Sequence, residues 1–326
     1  MAGVEIKFVY VYLYPFLSGL LQSSYTAQGL TFHSRQIYPP FKLFGELVES
    51  SPYELAEMSL STYTLLRQQG WDHYVALPIF TSRCFRHASL WVRADSEIVD
   101  GGQLKGRKVG IPEYHMTAAV WARGFLKDDF GVEPRDITWF TGGVDEPGRR
   151  ERLDLPEGLG VKVTPIGEAE TLFGLLVEGR LDAALAPNLP VLIKQKPAPV
   201  RRLFPNCPEV EKAYYRKHGI FPIMHTIVLR KDVYQSDSEI AARIYQVFKE
   251  AKEDFYRKVN SVDRTYVFPW LYDYLSDLRE MLGEDPFPYG LERNRKNVEK
   301  YFDHAVEQGL IPTSPKLKEL FLNLND

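Results

Sequence analysis

Three histidines of this chain stand where imidazole chemistry could be used. His87, His115 and His225 each lie at or near the end of a predicted β-strand, and open α/β sheets build their ligand sites at strand ends. His225 is the most unusual, because it follows Pro222 at the start of an apolar run that is typical of a buried strand. Imidazole exchanges protons near neutral pH, so all three are candidate acid–base groups. The alternative for each is a core histidine with satisfied nitrogens.

Arginines are the candidate anchors for a negatively charged ligand. Arg83 and Arg86 precede a predicted strand in TSRCFRHASLWVR, and Arg149 follows the Gly-Gly loop of WFTGGVDEPGRRER. A planar guanidinium binds a carboxylate through two parallel hydrogen bonds, and glycines allow a ligand to approach the backbone closely. The alternatives are arginines that point into solvent and a charged surface loop.

Two predicted helix starts carry hydroxyl groups. Ser59 and Ser61 lie in AEMSLSTY, and Thr117 follows the short loop that contains Glu113. Free backbone N–H groups at a helix start attract anions, and nearby hydroxyls add further donors. The alternative is simple helix capping. Glu113 could orient a histidine or serve as a base.

A metal site has weaker support from the sequence. Glu113 could meet His87, His115 and His225 around a divalent metal in space, although their spacing does not show it. No Cys-x-x-Cys or His-Glu-x-x-His spacing indicates zinc, and no Walker A, Gly-x-Gly-x-x-Gly or Gly-x-Ser-x-Gly motif is found. The sequence therefore predicts no cofactor, with a divalent metal left open.

Short apolar runs alternate along the chain with longer stretches of helical pattern. Strands are predicted at residues 4–12, 57–61, 74–78, 88–93, 109–111, 137–140, 161–165, 182–186 and 223–229. Helices are predicted at residues 41–50, 62–69, 116–129, 168–178 and 236–256, and the rest of the chain to about residue 310 is predicted to be helical. This alternation favours an α/β fold with parallel sheets and helices on both faces.

The same pattern predicts two lobes. Residues 1–90 and 205–326 are expected to form a discontinuous first lobe with the C-terminal helices, and residues 91–204 the second lobe. The stretch 187–208 holds six prolines and is expected to connect the two.

Composition excludes several classes of protein. The net charge of −3 has no clustered basic excess, which a nucleic-acid-binding surface would need. Two cysteines do not form a disulfide framework and suit a reducing compartment. The first 21 residues lack the pattern of a secretion signal, and no long uncharged apolar stretch predicts a membrane span. A cytoplasmic location is therefore expected, with neither nucleic acid nor membrane as a partner.

Seven stretches, taken in order, resemble the 4,5-dihydroxyphthalate decarboxylase family. They are AEMSLSTY, RCFRHASLWVRAD, VGIPEYHMTAAVWARG, WFTGG with PGRRER, RRLFP, GIFPIMHTIVLRKDVY and FPYGLERNR, and they span residues 56–295. The resemblance implies a two-lobed fold like that of type II periplasmic binding proteins, with a ligand cleft between the lobes. It also implies a homo-oligomeric carboxy-lyase of aromatic-compound catabolism, in particular phthalate degradation.

The chain departs from this family at two places. The family has a Tyr-Asp-Arg triplet after the first strand, where this chain has Tyr12, Leu13 and Tyr14. Relatives also often have glutamine at the position of His115. Both places would face the cleft in this fold, so a related hydroxylated aromatic acid is as good a candidate substrate as 4,5-dihydroxyphthalate.

The resemblance predicts decarboxylation by protonation of a ring carbon. A ring hydroxyl ortho or para to the carboxylate supplies electrons, so that carbon can take a proton before the C–C bond breaks. His225 is the predicted donor, with His87 or His115 acting on the phenolic hydroxyl. The remaining candidates are anchors: Arg83, Arg86, Arg149, Ser59, Ser61 and Thr117. The alternatives are a solute-binding protein without chemistry, a metal-assisted decarboxylase, and another enzyme of this fold such as a dehydratase or a pyrimidine-synthesis protein.

Overall fold

The computed structural model describes residues 4–22, 24–260 and 269–324. Its strands are β1 (Val4–Tyr10), β2 (Tyr25–Ala27), β3 (Leu30–Gln36), β4 (Leu55–Ser59), β5 (Tyr74–Arg83), β6 (Leu90–Arg93), β7 (Lys108–Ile111), β8 (Thr138–Thr141), β9 (Val163–Pro165), β10 (Ala183–Leu185), β11 (Val200–Arg202) and β12 (Ile223–Arg230). Its α-helices are α1 (Pro40–Glu49), α2 (Leu60–Gln68), α3 (Thr117–Phe130), α4 (Leu172–Val177), α5 (Cys207–His218), α6 (Lys231–Ser236), α7 (Ile240–Val259), α8 (Leu271–Leu282), α9 (Leu291–Glu307) and α10 (Leu317–Leu320). The predicted C-terminal helical part includes residues 261–268, which lie outside the described residues.

The chain forms two compact units. Unit 1 comprises residues 1–83, 223–295 and 316–326, and unit 2 comprises residues 84–222 and 296–315. Each unit has its own six-stranded sheet covered by helices. The predicted α/β class with two lobes is confirmed.

The sheet of unit 1 has the strand order β2-β3-β1-β4-β12-β5. β1 runs parallel to β3 and β4, whereas β12 runs antiparallel to both of its neighbours, β4 and β5. Residues 223–229 of β12 are all buried, which explains its continuous apolar run: a strand covered on both faces has no solvent side to mark with polar residues.

Helix α7 shows how unit 1 buries its sheet. Ile240, Ile244, Val247 and Phe248 recur at helical spacing and are all buried, and the Phe248 ring packs edge-on against Phe8 of β1 at 5.4 Å. The opposite face of α7 carries charged residues, so the helix is amphipathic. Within the described ranges no helix is both long enough and apolar enough to cross a membrane.

The sheet of unit 2 has the order β11-β6-β10-β7-β8-β9. Strands β10, β7, β8 and β9 are mutually parallel, and β6 runs antiparallel to β10 and β11. Helix α3 follows β7 and is buried along its first ten residues, 117–126. It ends at Gly131, whose φ of 64° lies in the left-handed region that glycine adopts without strain. The loop between β7 and α3 is therefore held by buried elements on both sides.

The boundaries of the units differ from the predicted lobes. The proline-rich stretch 187–208 does not connect the units, because it contributes β11 to the sheet of unit 2, next to β6. The chain instead passes between the units at residues 83–84, 222–223, 295–296 and 315–316. Prolines were a poor guide here, since Pro199 and Pro205 flank a short edge strand, where a missing N–H is tolerated.

Several elements end at other residues than predicted. β5 continues through Pro78 to Arg83, because the pairing with β12 is irregular at that point and the Pro78 carbonyl accepts a hydrogen bond from Gly290 instead. The predicted helix at 236–256 corresponds to α7, which begins at Ile240, after the extended residue Asp237. Strands β2, β3 and β11 and helices α5, α6 and α10 were not predicted; β3 is mostly polar, and its pairing with β1 and β2 defines it.

Candidate active site

A carboxylate and a histidine meet in the centre of the unit 1 sheet. In the pairing of β4 with β12, Glu57 lies opposite Ile227 and Ser59 lies opposite His225. Positions two residues apart share one face of a strand, so Glu57 and His225 are diagonal neighbours on the same face. The Glu57 Oε1 atom lies 2.5 Å from Nδ1 of His225. The register of two strands thus joins residues that are 168 positions apart in the sequence.

Glu57 is completely buried and surrounded by donors. Its Oε2 accepts a hydrogen bond from the backbone N–H of Val11 at 2.8 Å, and its Oε1 accepts one from the hydroxyl of Tyr14 as well as contacting His225. Burial, and then the negative charge of Glu57, raises the pKa of Tyr14 well above its ordinary value. Tyr14 therefore stays protonated and donates a hydrogen bond to the carboxylate of Glu57 at any working pH.

Aromatic rings hold the imidazole of His225 in place. The Tyr12 ring is stacked on it at 5.9 Å with an interplanar angle of 3°, and the Phe44 ring meets it edge-on at 5.1 Å. The side chain of His225 is 10% exposed. Its orientation is therefore fixed on three sides, and the imidazole keeps a small accessible area.

The predicted anchors of unit 1 are engaged with the protein. The Ser59 hydroxyl caps α2 by accepting a hydrogen bond from the Thr62 N–H at 3.3 Å, and Ser61 is fully buried in the first turn. The Arg83 guanidinium is buried and donates to Oδ1 of Asn294. The capping alternative describes Ser59, and the anion-anchoring roles of Ser59, Ser61 and Arg83 stay predictions.

Unit 2 has a second buried carboxylate at the carboxyl end of β7. Glu113 Oε1 accepts hydrogen bonds from Nε of Arg149 at 2.9 Å and from Nη2 of Arg152 at 3.0 Å. Burial by itself would raise the pKa of Glu113, but the charges of Arg152 and Arg149 outweigh it and hold that pKa below its ordinary value. Arg149, predicted as a ligand anchor, thus binds a carboxylate of the protein.

His115 lies between two carboxylates. Its Nδ1 is 2.9 Å from Oε2 of Glu151, its Nε2 is 3.3 Å from Oε2 of Glu113, and the ring is completely buried. Each ring nitrogen therefore faces a protein carboxylate, and this arrangement suits a residue that positions its neighbours better than one that exchanges protons with a ligand. The predicted role of Glu113 in orienting a histidine agrees with this geometry.

Glu113, His115 and Glu151 also have the donor atoms of a metal site, all within 4.8 Å of one another. The charges argue against that use. Arg149 and Arg152 both pair with Glu113, so that with Glu151 the cluster holds two positive and two negative charges, and a divalent cation would add two positive charges to it. His87 and His225, the other predicted metal ligands, do not contribute to the set.

The glycine loop of unit 2 serves the protein's own packing. A Cβ at Gly143 would come within 1.6 Å of the Glu146 carbonyl oxygen, and one at Gly142 would meet the side chain of Ile166 at 2.4 Å. The space beside these glycines, which was predicted to admit a ligand, is thus occupied by neighbouring residues of the protein. Thr117 is buried in the first turn of α3, and Arg86 donates to the Pro187 carbonyl at 3.4 Å.

A cavity of about 700 Å³ opens beside this cluster, at the carboxyl ends of β8 and β9. Its walls combine apolar side chains with charged ones: Thr141, Gly148, Arg149, Arg150, Glu151, Leu153, Asp154, Leu155, Val163, Pro165, Ile166, Gly167 and Glu168. Its volume lies within the range of small-molecule sites. The carboxyl edge of the parallel strands thus carries both the polar cluster and a cavity, as open α/β sheets usually do.

His87 packs in the core of unit 2. Its ring stacks on Phe125 at 3.9 Å and contacts Phe204 and Tyr214. Neither ring nitrogen has a hydrogen-bond partner among the described residues. Burial lowers the pKa of His87 to about 4. The contacts favour the core alternative, and nothing in them supports a role at a phenolic hydroxyl.

This environment predicts a pH dependence for unit 2. The folded pKa of His87 lies below the unfolded value of 6.5, so the unfolded chain binds more protons between these values, and stability falls as the pH drops from about 6.5 to 4. We expect this residue to cost about 3 kcal/mol of unfolding free energy at pH 4 relative to pH 7. Urea unfolding of His87→Leu at both pH values should lack that loss. An unchanged pH dependence, or a loss of turnover like that expected for a catalytic histidine, would contradict the core role.

The sequence did not point to four residues of these clusters: Glu57, Tyr14, Glu151 and Arg152. Glu57 had a signal, because a glutamate between apolar neighbours in the buried strand β4 must be paired in the fold. Tyr14 lies at the departure from the family triplet. Glu151 and Arg152 lie in an irregular loop and had no local signal.

The architecture defines the class of protein. The fold is similar to that of the periplasmic aliphatic sulphonate binding protein of Escherichia coli, with a TM-score of 0.54, 12% identity, and coverage of 99% of this chain and 93% of that one. A sulfonate-binding protein of Methylobacillus flagellatus gives the same TM-score at 13% identity, with coverage of 99% and 92%. The chain therefore has the periplasmic solute-binding-protein fold.

Sequence relatives place it more closely. The chain is 33% identical over 285 residues to a 4,5-dihydroxyphthalate decarboxylase of Comamonas testosteroni, covering 86% of each. It is 38% identical over 177 residues to one of Pseudomonas putida, covering 54% of this chain and 69% of the other. A comparison with models of known families found no match. This protein belongs to the 4,5-dihydroxyphthalate decarboxylase family, which confirms the resemblance seen in the sequence.

Proposed function

We propose that this protein is a non-oxidative carboxy-lyase that removes CO2 from a ring-hydroxylated aromatic acid of the 4,5-dihydroxyphthalate type. Two relatives bear that activity in their names, one of them aligned over 86% of the chain. The product of this reaction on 4,5-dihydroxyphthalate is 3,4-dihydroxybenzoate. The observation that carries the proposal is His225 with a buried carboxylate at Nδ1.

The reaction consumes one proton and releases one CO2. The hydroxyl para to the departing carboxylate donates electron density, and the ring carbon that bears the carboxylate accepts a proton from Nε2 of His225. The C–C bond then breaks, its electron pair restores the aromatic ring, and CO2 leaves. His225 regains its proton from water. This chemistry needs no organic electron sink, and an imidazole near its working pH is a suited donor.

The contacts of His225 support its assignment. A carboxylate 2.5 Å from Nδ1 accepts a hydrogen bond from that nitrogen, so Nε2 is the nitrogen that can deliver a proton to a ligand. His115 faces a carboxylate at each nitrogen and His87 is packed among aromatic rings, so His225 is the best donor of the three.

Product analysis tests the function. Incubation with 4,5-dihydroxyphthalate should release one CO2 and one 3,4-dihydroxybenzoate per molecule consumed. Phthalate, which has no ring hydroxyl, should release none, because protonation of its ring lacks the electron supply. Saturable binding of the dihydroxy acid with complete recovery of unchanged ligand would instead favour the solute-binding alternative, which the shared fold keeps open.

We propose that this reaction takes place in the cytoplasm on a homo-oligomeric protein, and that the biological setting is breakdown of aromatic acids. The sequence composition supports the location, and the family resemblance supports the oligomer and the biological setting. Size-exclusion chromatography with light scattering measures the oligomer, and a mass equal to the 37.5 kDa chain would reject it.

A further inference from the structure

We propose that Glu57 and Tyr14 are positioning residues that keep Nδ1 of His225 protonated, so that proton transfer occurs at Nε2 alone. This inference rests on the proposed function, since it says how the proposed donor is charged and aimed. It is carried by the contacts of Glu57, a residue for which the sequence analysis predicted no role.

The first argument is the direction of the hydrogen bonds. An ionised carboxylate only accepts hydrogen bonds, and both oxygens of Glu57 face donors: the Val11 N–H, the Tyr14 hydroxyl and Nδ1 of His225. Nδ1 must therefore carry a proton in this contact. Nε2 is then the ring nitrogen that gains or loses a proton.

The second argument is the charge balance. A buried carboxylate costs several kcal/mol unless a cation pairs with it. Within the described part of the chain, His225 is the one group that forms an ion pair with Glu57. Glu113 of unit 2 differs, because two arginines neutralise it. His225 is thus the described group placed to offset the charge of Glu57, and the N–H on its Nδ1 faces the carboxylate directly.

The third argument concerns Tyr14. Its hydroxyl shares Oε1 of Glu57 with His225, and its buried position keeps it protonated. A second donor on the same oxygen reduces the tendency of Glu57 to take the Nδ1 proton for itself. Tyr14 therefore holds the shared proton on the imidazole side. This tyrosine stands in the segment where the chain departs from the family's Tyr-Asp-Arg triplet.

The packing of the ring makes the direction of transfer specific. Tyr12 stacks on one face and Phe44 abuts the ring, so the imidazole cannot flip to exchange its nitrogens without displacing them. Because β4 and β12 are both interior strands, the backbone that carries Glu57 and His225 has a neighbouring strand on each side. The arrangement has the general form of a histidine oriented by a carboxylate.

The experiment reads the protonation of His225 directly, by ¹⁵N NMR of histidine-labelled protein, with His225→Asn used to assign its signals. At pH 7 the wild type should show Nδ1 of His225 protonated. Glu57→Gln should lose this preference for a proton on Nδ1, and kcat should fall at least about tenfold with little change in KM. Tyr14→Phe should shift the same signals partway. A wild-type spectrum with an unprotonated Nδ1 would overturn the inference without need of any variant.

Glu54→Gln is the matched control. Glu54 immediately precedes β4 and also accepts a backbone hydrogen bond from β1, at Lys7; it pairs with Arg230, and no contact with a histidine is found among the described residues. Its variant should leave the His225 signals and kcat unchanged, and an equal effect would assign the change to general loss of a carboxylate. If His225→Asn retains turnover while Glu57→Gln still removes the proton from Nδ1, the proposed donor role fails, and only the part of the inference that concerns protonation of Nδ1 stands. If Glu57→Gln leaves Nδ1 protonated as in the wild type, the inference fails whatever the activity of His225→Asn.

Discussion

Replacing His225 by asparagine is expected to lower kcat by about 10²- to 10⁴-fold and to leave KM nearly unchanged. Asparagine keeps an amide N–H close to the position of Nδ1, so Glu57 retains a donor and the sheet retains its contact. It has no group that could deliver a proton from the position of Nε2. Steady-state release of CO2 at several concentrations of 4,5-dihydroxyphthalate measures both constants.

His33 offers the matched control for this variant. It lies on β3 of the same unit, its side chain is 52% exposed, and its partner is Glu5 on the surface. The variant His33→Asn removes an imidazole beside a carboxylate without touching the candidate site, so its kcat should stay within about twofold of the wild type. A folded His225→Asn protein with near-normal kcat would reject the donor role.

The sequence predicted most of what local patterns determine. The apolar run that begins at Phe221 gave β12 almost to the residue, and the strand–loop–helix pattern around Glu113 gave β7 and α3. His225 drew attention for the right reason, because an ionisable ring in a fully buried strand needs a partner. Each of these inferences needs only the neighbours of a residue in the chain.

What the sequence could not show is the pairing of distant strands. The contact between Glu57 and His225 depends on β12 lying beside β4 in one particular register, and a shift by one residue would turn the two side chains to opposite faces. The serines of AEMSLSTY were better candidates by residue type, yet Ser59 caps a helix and Glu57 contacts the histidine. A buried charge in a strand was the signal to follow.

The loop of residues 142–162 shows a second limit. The sequence predicts Arg149 as an anchor for the carboxylate of a ligand, whereas in the structure it binds Glu113. Nothing in the local sequence distinguishes an arginine that waits for a ligand from one that balances a buried glutamate. The distinction depends on where an irregular loop folds back, which hydrophobic periodicity does not encode.

Removal of the charge of Glu113 is expected to destabilise unit 2. The variant Glu113→Gln keeps the shape of the side chain and removes its charge, which leaves Arg149 and Arg152 without their shared anion. Breaking a buried ion pair from one side costs about 3 to 5 kcal/mol. Because the two arginine side chains are 20% and 14% exposed, water offsets part of the loss, and we expect about 3 kcal/mol.

Tryptophan fluorescence weights this measurement towards unit 2. Trp91, Trp121 and Trp139 are all buried and all belong to that unit, whereas in unit 1 Trp71 is half-buried and Trp270 is exposed. Urea unfolding followed by their emission should give a lower midpoint for Glu113→Gln. In the control Glu168→Gln the lost partner is Arg150, and both side chains are more than 70% exposed. That variant should change the free energy of unfolding by less than about 0.5 kcal/mol.

The pH dependence separates the charge of Glu113 from its shape. Its folded pKa lies below the unfolded value, so its contribution to stability is complete above the unfolded pKa and is lost as the pH falls through the folded one. A protonated glutamate resembles glutamine, and it removes the same negative charge from beside the two arginines. The wild type and Glu113→Gln should therefore differ most near pH 7 and converge as the pH falls below about 4. A difference that persists undiminished in acid would mean that the amide disturbs the packing of the β7–α3 loop and that the ion pairs contribute little.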